Sequence, residues 1–227
     1  MVREIVELIG IGAARMNNSV VRKPQEAEIV PAGVVLGRAF QDEPIFRAVI
    51  SDPADRLALC TALFTANLRH ARQFGGIRIT GINDNSVNGV LYWVDKPDPE
   101  LSDDALEAFG YRPVFDSWGE QLETIGQIEQ EAVEALGPIR MPWRYLAGVG
   151  VDPDFQGRGL GSRLVTWLVT ESAAAGLDCA LVTDRARNVP LYQRCGFETI
   201  ATGTATLANV QFWSMITAAR PKREDGG

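Results

Sequence analysis

The stretch YLAGVGVDPDFQGRGLGS, residues 145–162, holds the residue types whose spacing points to chemistry. An apolar run over 145–151 passes through Pro153 into a loop with Gly157, Gly159 and Gly161, and an amphipathic helix pattern begins near Leu160. A strand that ends in glycines at a helix start presents several backbone N–H groups with no partner inside the helix, backed by the positive end of the helix dipole. Such a place binds anions, phosphate above all. Glycine keeps side chains from holding the anion away from those N–H groups, and Arg158 can add a charge-assisted contact. Two familiar phosphate loops do not fit. A Walker loop needs GxxxxGK(S/T), and no lysine stands here. A dinucleotide fingerprint, GxGxxG, follows a first strand, whereas this strand comes late in the chain. What remains is Gln156-x-x-Gly159-x-Gly161, preceded by Val151-Asp152-Pro153.

Other chemistry-bearing residues are sparse. The single histidine, His70, lies in a helical stretch full of Leu and Ala and reads as a surface or half-buried helix residue. One histidine excludes a multi-histidine zinc site, and no metal is expected. Cys60, Cys179 and Cys195 are odd in number and lack CxxC spacing, which suggests reduced thiols in the cytosol and small buried hydrophobes. With 227 residues and 46% hydrophobic content the chain can bury a sizeable core. The net charge of −7 argues against nucleic acid or an anionic membrane as a partner and suits an amine-bearing small molecule. No apolar run approaches the length of a membrane span. The opening MVREIVELIGIGAARM is broken by Glu4 and Glu7 and does not read as a secretory signal.

The elements that must position the loop follow from hydrophobic period and punctuation. Residues 19–23 (SVVRK) suggest a short first strand. Helices are expected over 25–40, 45–50 and 56–74, the last ended by Gly75-Gly76. Residues 77–82 and 87–94 read as a hairpin around a turn at 83–85. Helical patterns at 102–109 and 114–136 follow. The second has an apolar stripe that includes Leu122, Ile125, Ala132 and Leu136, and an acidic face of Glu120, Glu123, Glu129, Glu131 and Glu134 that reads as solvated. The strand at 143–151 leads into the glycine loop and its helix, which Gly176 ends. A strand at 178–183, a short helix at 189–194 that Asn188 can cap, and strands at 197–207 and 210–216 complete the chain. This is the pattern of one α/β domain over 18–217, with an N-terminal extension, 1–17, and a disordered tail, 218–227.

The loop resembles the pyrophosphate loop of the GNAT acyltransferase superfamily, which binds acetyl-coenzyme A. A second constellation agrees: Asn188, Tyr192, Gly196 and Phe197 are similar to the superfamily's downstream N-x-x-x-Y-x-x-x-G-F signature. WRYLAGVGVDPDFQGRGLGS, LVTDRARNVPLYQRCGF, the late FWSM and, nearer the start, AFQDEPIF together look like the puromycin N-acetyltransferase branch. The specific motifs cover roughly residues 143–197. The resemblance implies a mixed α/β fold with a central twisted sheet of about seven strands, flanked by helices, and a helical insert (102–136) before the coenzyme-binding strand. It implies acetyl transfer from acetyl-coenzyme A to a primary amine of a small molecule, such as an aminonucleoside or another amine-bearing antibiotic or metabolite, in a cytoplasmic monomer or homodimer.

The same resemblance implies roles. Val149, Val151, Gln156, Gly157, Arg158, Gly159, Gly161, Ser162 and Asn188 would hold the coenzyme, with Gly148 and Gly150 easing its approach to the strand. Tyr192 would protonate the departing thiolate, and its ordinary pKa of about 10 keeps the proton available. Many members carry a glutamate on the coenzyme strand as base, and residues 145–151 have no carboxylate. The base is therefore open, with Asp184 and Asp42 as weaker candidates, and an acceptor amine of low pKa is favoured. Asp42, Phe46, Trp93 and Phe115 are assigned to the acceptor pocket, with Glu43, Tyr92 and Trp118 near them. Strand alternation allows only one of Tyr92 and Trp93 to line it. The rival readings are a peptide N-terminus or a polyamine as acceptor, and a coenzyme-binding module without catalysis.

Overall fold

A computed structural model describes residues 20–81 and 86–217. The expected extension 1–17, turn 83–85 and tail 218–227 lie outside the described residues. Helix Ile29–Phe40 (α1) and the short helix Pro44–Val49 (α2) are followed by Pro53–Phe74 (α3). Asp52 starts α3 by accepting from the N–H groups of Ala54 (2.7 Å) and Asp55 (3.2 Å), with Pro53 at the first helical position. Strands Gly75–Thr80 (β1) and Gly89–Lys96 (β2) form the antiparallel pair. Gly75 is the C-cap that ends α3, as expected, and with Gly76 it also begins β1. A Cβ on Gly75 would meet the Trp93 carbonyl oxygen at 2.0 Å and one on Gly76 the Trp93 ring at 2.3 Å, so glycine lets the strands pass closely.

The insert consists of Asp103–Phe109 (α4) and Arg112–Glu134 (α5), ahead of Trp143–Val151 (β3). Leu160–Ala174 (α6), Asp178–Thr183 (β4), Val189–Arg194 (α7), Glu198–Ala205 (β5) and Val210–Thr217 (β6) follow. Among the described residues the sheet has six strands in the order β1-β2-β3-β4-β6-β5, not about seven. The segment expected as a first strand contributes only an isolated bridge between Arg22 and Ile79, because Pro24, two residues on, has no N–H with which to extend the ladder.

Among the described residues the one parallel neighbour pair is β3 with β4, joined by the α6 crossover. Helices α1, α2, α3 and α5 cover one face, burying Leu36, Leu59, Phe64, Leu68 and Ile79. Helices α6 and α7 cover the other, burying Leu91, Leu164, Leu168, Leu181 and Phe197. Pairing of β3 with β4 stops after Trp143–Asp178, Arg144–Cys179 and Tyr145–Ala180. Beyond that point the strands splay, and the edge of β3 over residues 146–151 that faces β4 carries backbone groups with no ladder partner.

Candidate active site

The splay opens into a cavity of about 830 Å³ that runs from the glycine loop to the helical insert. Val149, Val151, Gln156, Gly157, Gly159, Gly161, Ser162 and Asn188 line one end of it. Gly157 and Gly159 have φ of 76° and 77°, a region that L side chains avoid, and Gly159 is the N-cap of α6. A Cβ on either would meet nothing within 4 Å, so the backbone conformation demands glycine while the space above stays open for a ligand. Gln156 donates its Nε2 to the Val151 carbonyl (3.0 Å) and thereby ties the loop to the end of β3.

A second tether was not foreseen from sequence. Arg38 of α1 donates to Asp152 (2.6 Å) and to Asp154 (3.1 Å), while Asp152 accepts from the Asp154 N–H (3.0 Å). Arg158 lies outside the cavity wall, its guanidinium 5.3 Å from the Phe155 ring centroid. Arg187 and Arg194, also unforeseen, line the loop end instead. Asn188 makes no side-chain cap to α7, contrary to expectation; it is half-buried on the cavity wall.

Tyr192 lines the middle of the cavity, nearly buried, with its ring edge-on to Phe197 at 6.0 Å. Burial first, then the negative charges of Glu43 and Asp184, raise its pKa well above the ordinary tyrosine value, so its hydroxyl keeps its proton near neutrality. Glu43 is held by the turn between α1 and α2. Arg56 fastens that turn by donating to the carbonyls of Gln41 (2.9 Å), Ile50 (2.9 Å) and Ser51 (2.7 Å). Glu43 is only 9% exposed and forms an ion pair with Arg185 in which the Arg185 Nε–H is not directed at Oε2. Asp184 sits beside it and accepts from the Ile45 N–H (2.9 Å). Burial, and then the charge of Asp184, push the Glu43 carboxyl up to about 7, against the opposing pull of Arg185. A carboxyl that changes charge near neutrality, beside a tyrosine that stays protonated, is the pairing that general acid–base chemistry needs.

Glu129 lines the same centre from α5. It is exposed, as the solvated face expected for it implies, and its stretch of α5 borders the cavity. Protein surrounds it at longer range, yet cavity water still reaches it. Surrounding protein and then the charge of Asp184 raise its carboxyl, an effect that its exposure to solvent screens.

Three sequence assignments change. Trp93 points away from the cavity into the opposite core, packed on Trp167 at 5.8 Å, and Tyr92 is the residue that lines the wall. Asp42 faces outward, 3.4 Å from Arg56, and is absent from the lining. Gly148 and Gly150 make room for protein: a Cβ would lie 2.4 Å from the Tyr92 ring on the first and 2.9 Å from Leu36 on the second. Phe46 forms a buried wall and Phe115, 41% exposed, stands where the lining meets solvent. At the far end Tyr111 donates to Asn67 (2.7 Å), and Asn67 donates to the Tyr92 hydroxyl (3.2 Å). His70 is buried there, against Phe74 and Phe109 and 3.2 Å from Asp98, where a surface or half-buried place was expected. Cys60 and Cys179 are buried hydrophobes whose thiols are pushed up to about 12, and Cys195 is half-buried.

A model of the acetyltransferase (GNAT) family matches residues 91–197. Among solved structures, the histone acetyltransferase HPA2 and related acetyltransferase from Corynebacterium glutamicum is similar at 18% identity and a TM-score of 0.62, covering 90% of this chain and 98% of that one. A putative arylalkylamine N-acetyltransferase 7 from the yellow fever mosquito matches at 14% and 0.60, with 88% and 87% covered. A polyamine N-acetyltransferase of Drosophila melanogaster, described as forming N-acetylagmatine, matches at 17% and 0.55, with 88% and 100% covered. At such identities the structural likeness is one of fold. Together with the family match it supports the GNAT acetyltransferase superfamily.

Proposed function

We propose that the protein is an acetyl-coenzyme A-dependent N-acetyltransferase acting on a primary amine of a small molecule. One observation carries this reading: a single cavity joins the loop at the α6 N-terminus, the unpaired edge of β3 and the pair Tyr192 and Glu43. The N–H groups of the loop and α6, with Arg187 and Arg194 near them, suit a diphosphate. The free β3 edge suits the amides of a pantetheine arm, and Asn188 faces the same space.

At the centre, the acceptor nitrogen attacks the thioester carbonyl carbon, the C–N bond forms and the C–S bond breaks. Tyr192 gives its proton to the sulfur, and Glu43 takes the proton that the nitrogen loses. A lysine-like amine is neutral in only about one part in a few thousand at pH 7. A base poised near 7 therefore answers the need that the carboxylate-free strand left open. Structures of this fold that are named for arylalkylamine and polyamine acetylation agree with an amine acceptor. The likeness of the motifs to the puromycin branch adds a finer reading, an aminonucleoside, which the aromatic residues Phe46, Tyr92 and Phe115 would accommodate.

The test is release of free thiol from acetyl-coenzyme A over a panel of amines, with coenzyme binding measured separately. Tyr192→Phe is expected to lower kcat by about 10²-fold with coenzyme affinity unchanged. Full turnover in that variant would remove Tyr192 as the acid. A protein that binds coenzyme A and acetylates no amine would return the module reading.

A further inference from the structure

The far end of the cavity holds hydrogen-bond donors in excess of acceptors. Along β3, Val151 stands opposite Gly89 at the loop end and Trp143 stands opposite Lys96 at the other. The register shift between Tyr92 and Trp93 turns Tyr145 onto the cavity face beside Val94, and Asn67, Tyr92 and Lys96 line the same wall. Asn67 accepts from Tyr111 (2.7 Å) and gives one N–H to the Tyr92 hydroxyl (3.2 Å), which leaves its second N–H and the Tyr92 proton to be given. Among the described residues the Tyr145 hydroxyl makes no hydrogen bond; its ring meets Trp143 and the Lys96 ammonium. Burial first raises the pKa of Tyr92 and of Tyr145, so both hydroxyls keep a proton to donate. Lys96 is half-buried, and its ammonium is a donor only. Asp98 spends Oδ1 on His70 (3.2 Å), and its Oδ2 stays 3.6 Å from the Lys96 Nζ, beyond hydrogen-bond reach. Among the described residues, then, this wall carries an ammonium and several neutral donors that no protein acceptor satisfies. The centre of the cavity is the reverse, with the carboxylates of Glu43 and Asp184.

Resting on the acetyltransferase reading above, we infer that this wall is a carboxylate subsite, so that the preferred acceptors are amines whose other end carries a carboxylate. An ionised carboxylate is an acceptor only, with about four lone-pair sites, and it matches a wall made of donors and one cation. The amine end then lies at Glu43 and Tyr192, and the carboxylate lies at Lys96 with the hydroxyls of Tyr92 and Tyr145. Lys96 is a specificity residue here and takes no part in proton transfer. A hydrocarbon end leaves these donors unanswered. An end with a second ammonium brings like charge beside Lys96.

Calorimetric titration of the coenzyme A-loaded protein with β-alanine, 4-aminobutyrate and 6-aminohexanoate, against propylamine, butylamine and hexylamine, reads this without turnover. The amino carboxylate of the preferred length is expected to bind about 10-fold tighter than its alkylamine, as one charge-assisted contact would give. In Lys96→Gln that advantage should shrink to within about twofold through loss of carboxylate affinity, with alkylamine and coenzyme affinities unchanged. Tyr145→Phe, which removes one neutral donor and keeps the ring, should weaken the amino carboxylate about threefold and leave the alkylamine as it was. Equal or weaker binding of the amino carboxylates to the wild-type protein overturns the inference, and so does a Lys96→Gln variant that weakens both kinds of ligand alike. Preference for the amino carboxylate in binding with no acetylation of any amine would instead sink the acetyltransferase reading and leave this one standing. Acetylation of alkylamines with no gain in binding from a carboxylate would do the reverse.

Discussion

The two ends of the cavity are built in opposite ways. The loop end is made of backbone: glycines in the left-handed region, the N-terminus of α6 and the unpaired edge of β3, with Arg187 and Arg194 beside them. The other end is made of side chains. Glu43 comes from the α1–α2 turn, Asp184 from the end of β4, Tyr92 from β2, Asn67 from α3 and Glu129 from α5. The first end favours anions and the second holds carboxylates, so the cavity is polarised along its length. A contiguous stretch with fixed backbone needs suits a ligand part that does not vary. An assembly of side chains from five elements can be retuned one residue at a time, which suits the part that does.

The largest effect that tests this contrast is at Glu43. As a base it must be ionised, and its carboxyl is raised from 4.5 to about 7, so kcat/KM should fall as pH drops through about 7 instead of near 4.5. Glu43→Gln should lower kcat/KM by about 10²-fold and abolish that limb of the profile. A limb that survives the substitution would hand the role to Asp184 or Glu129. Next comes Gly159→Ala, which places a Cβ at φ 77° at a strain of about 1–2 kcal/mol. Steady-state kinetics should show KM for acetyl-coenzyme A rising about 10-fold, as that strain implies, with saturating kcat and acceptor KM little changed. If acceptor KM rose in parallel, the two ends would not be separable. The smallest effect on acetylation belongs to Trp93→Phe. With the indole on the far face against Trp167, acceptor KM should stay within about twofold while unfolding loses about 1–2 kcal/mol, measured by denaturant titration.

Much of the fold was legible because its signals are local. Asp52-Pro53 opens a helix by capping chemistry, and the 3.6-residue period of Leu122, Ile125 and Ala132 marks α5 whatever packs on it. The strand, glycine loop and helix over 143–174 are readable for the same reason. The failures are non-local. Trp93 and Tyr92 alternate in any strand, but only the packing of helices on both faces decides which side becomes the cavity, and the bulge between them and β3 shifts the register. Of the five glutamates read as a solvated face, Glu120, Glu123, Glu129 and Glu134 are exposed, and only the half-buried Glu131, which accepts from the Thr206 N–H, departs from it. Glu43 stood in view in AFQDEPIF, yet its significance depends on Asp184, 141 positions away, and on burial beneath α5.

By itself, then, the amino-acid sequence determined the α/β order of elements, the glycine-bearing anion loop and the spacing that brings Asn188 and Tyr192 after it. Backbone conformation and short-range period are properties of neighbouring residues. Only the tertiary structure decided that β3 and β4 part after three paired residues and that Glu43 rather than a strand carboxylate stands with Tyr192. Desolvation and charge pairing depend on what the chain folds against, and no window along the sequence contains that information.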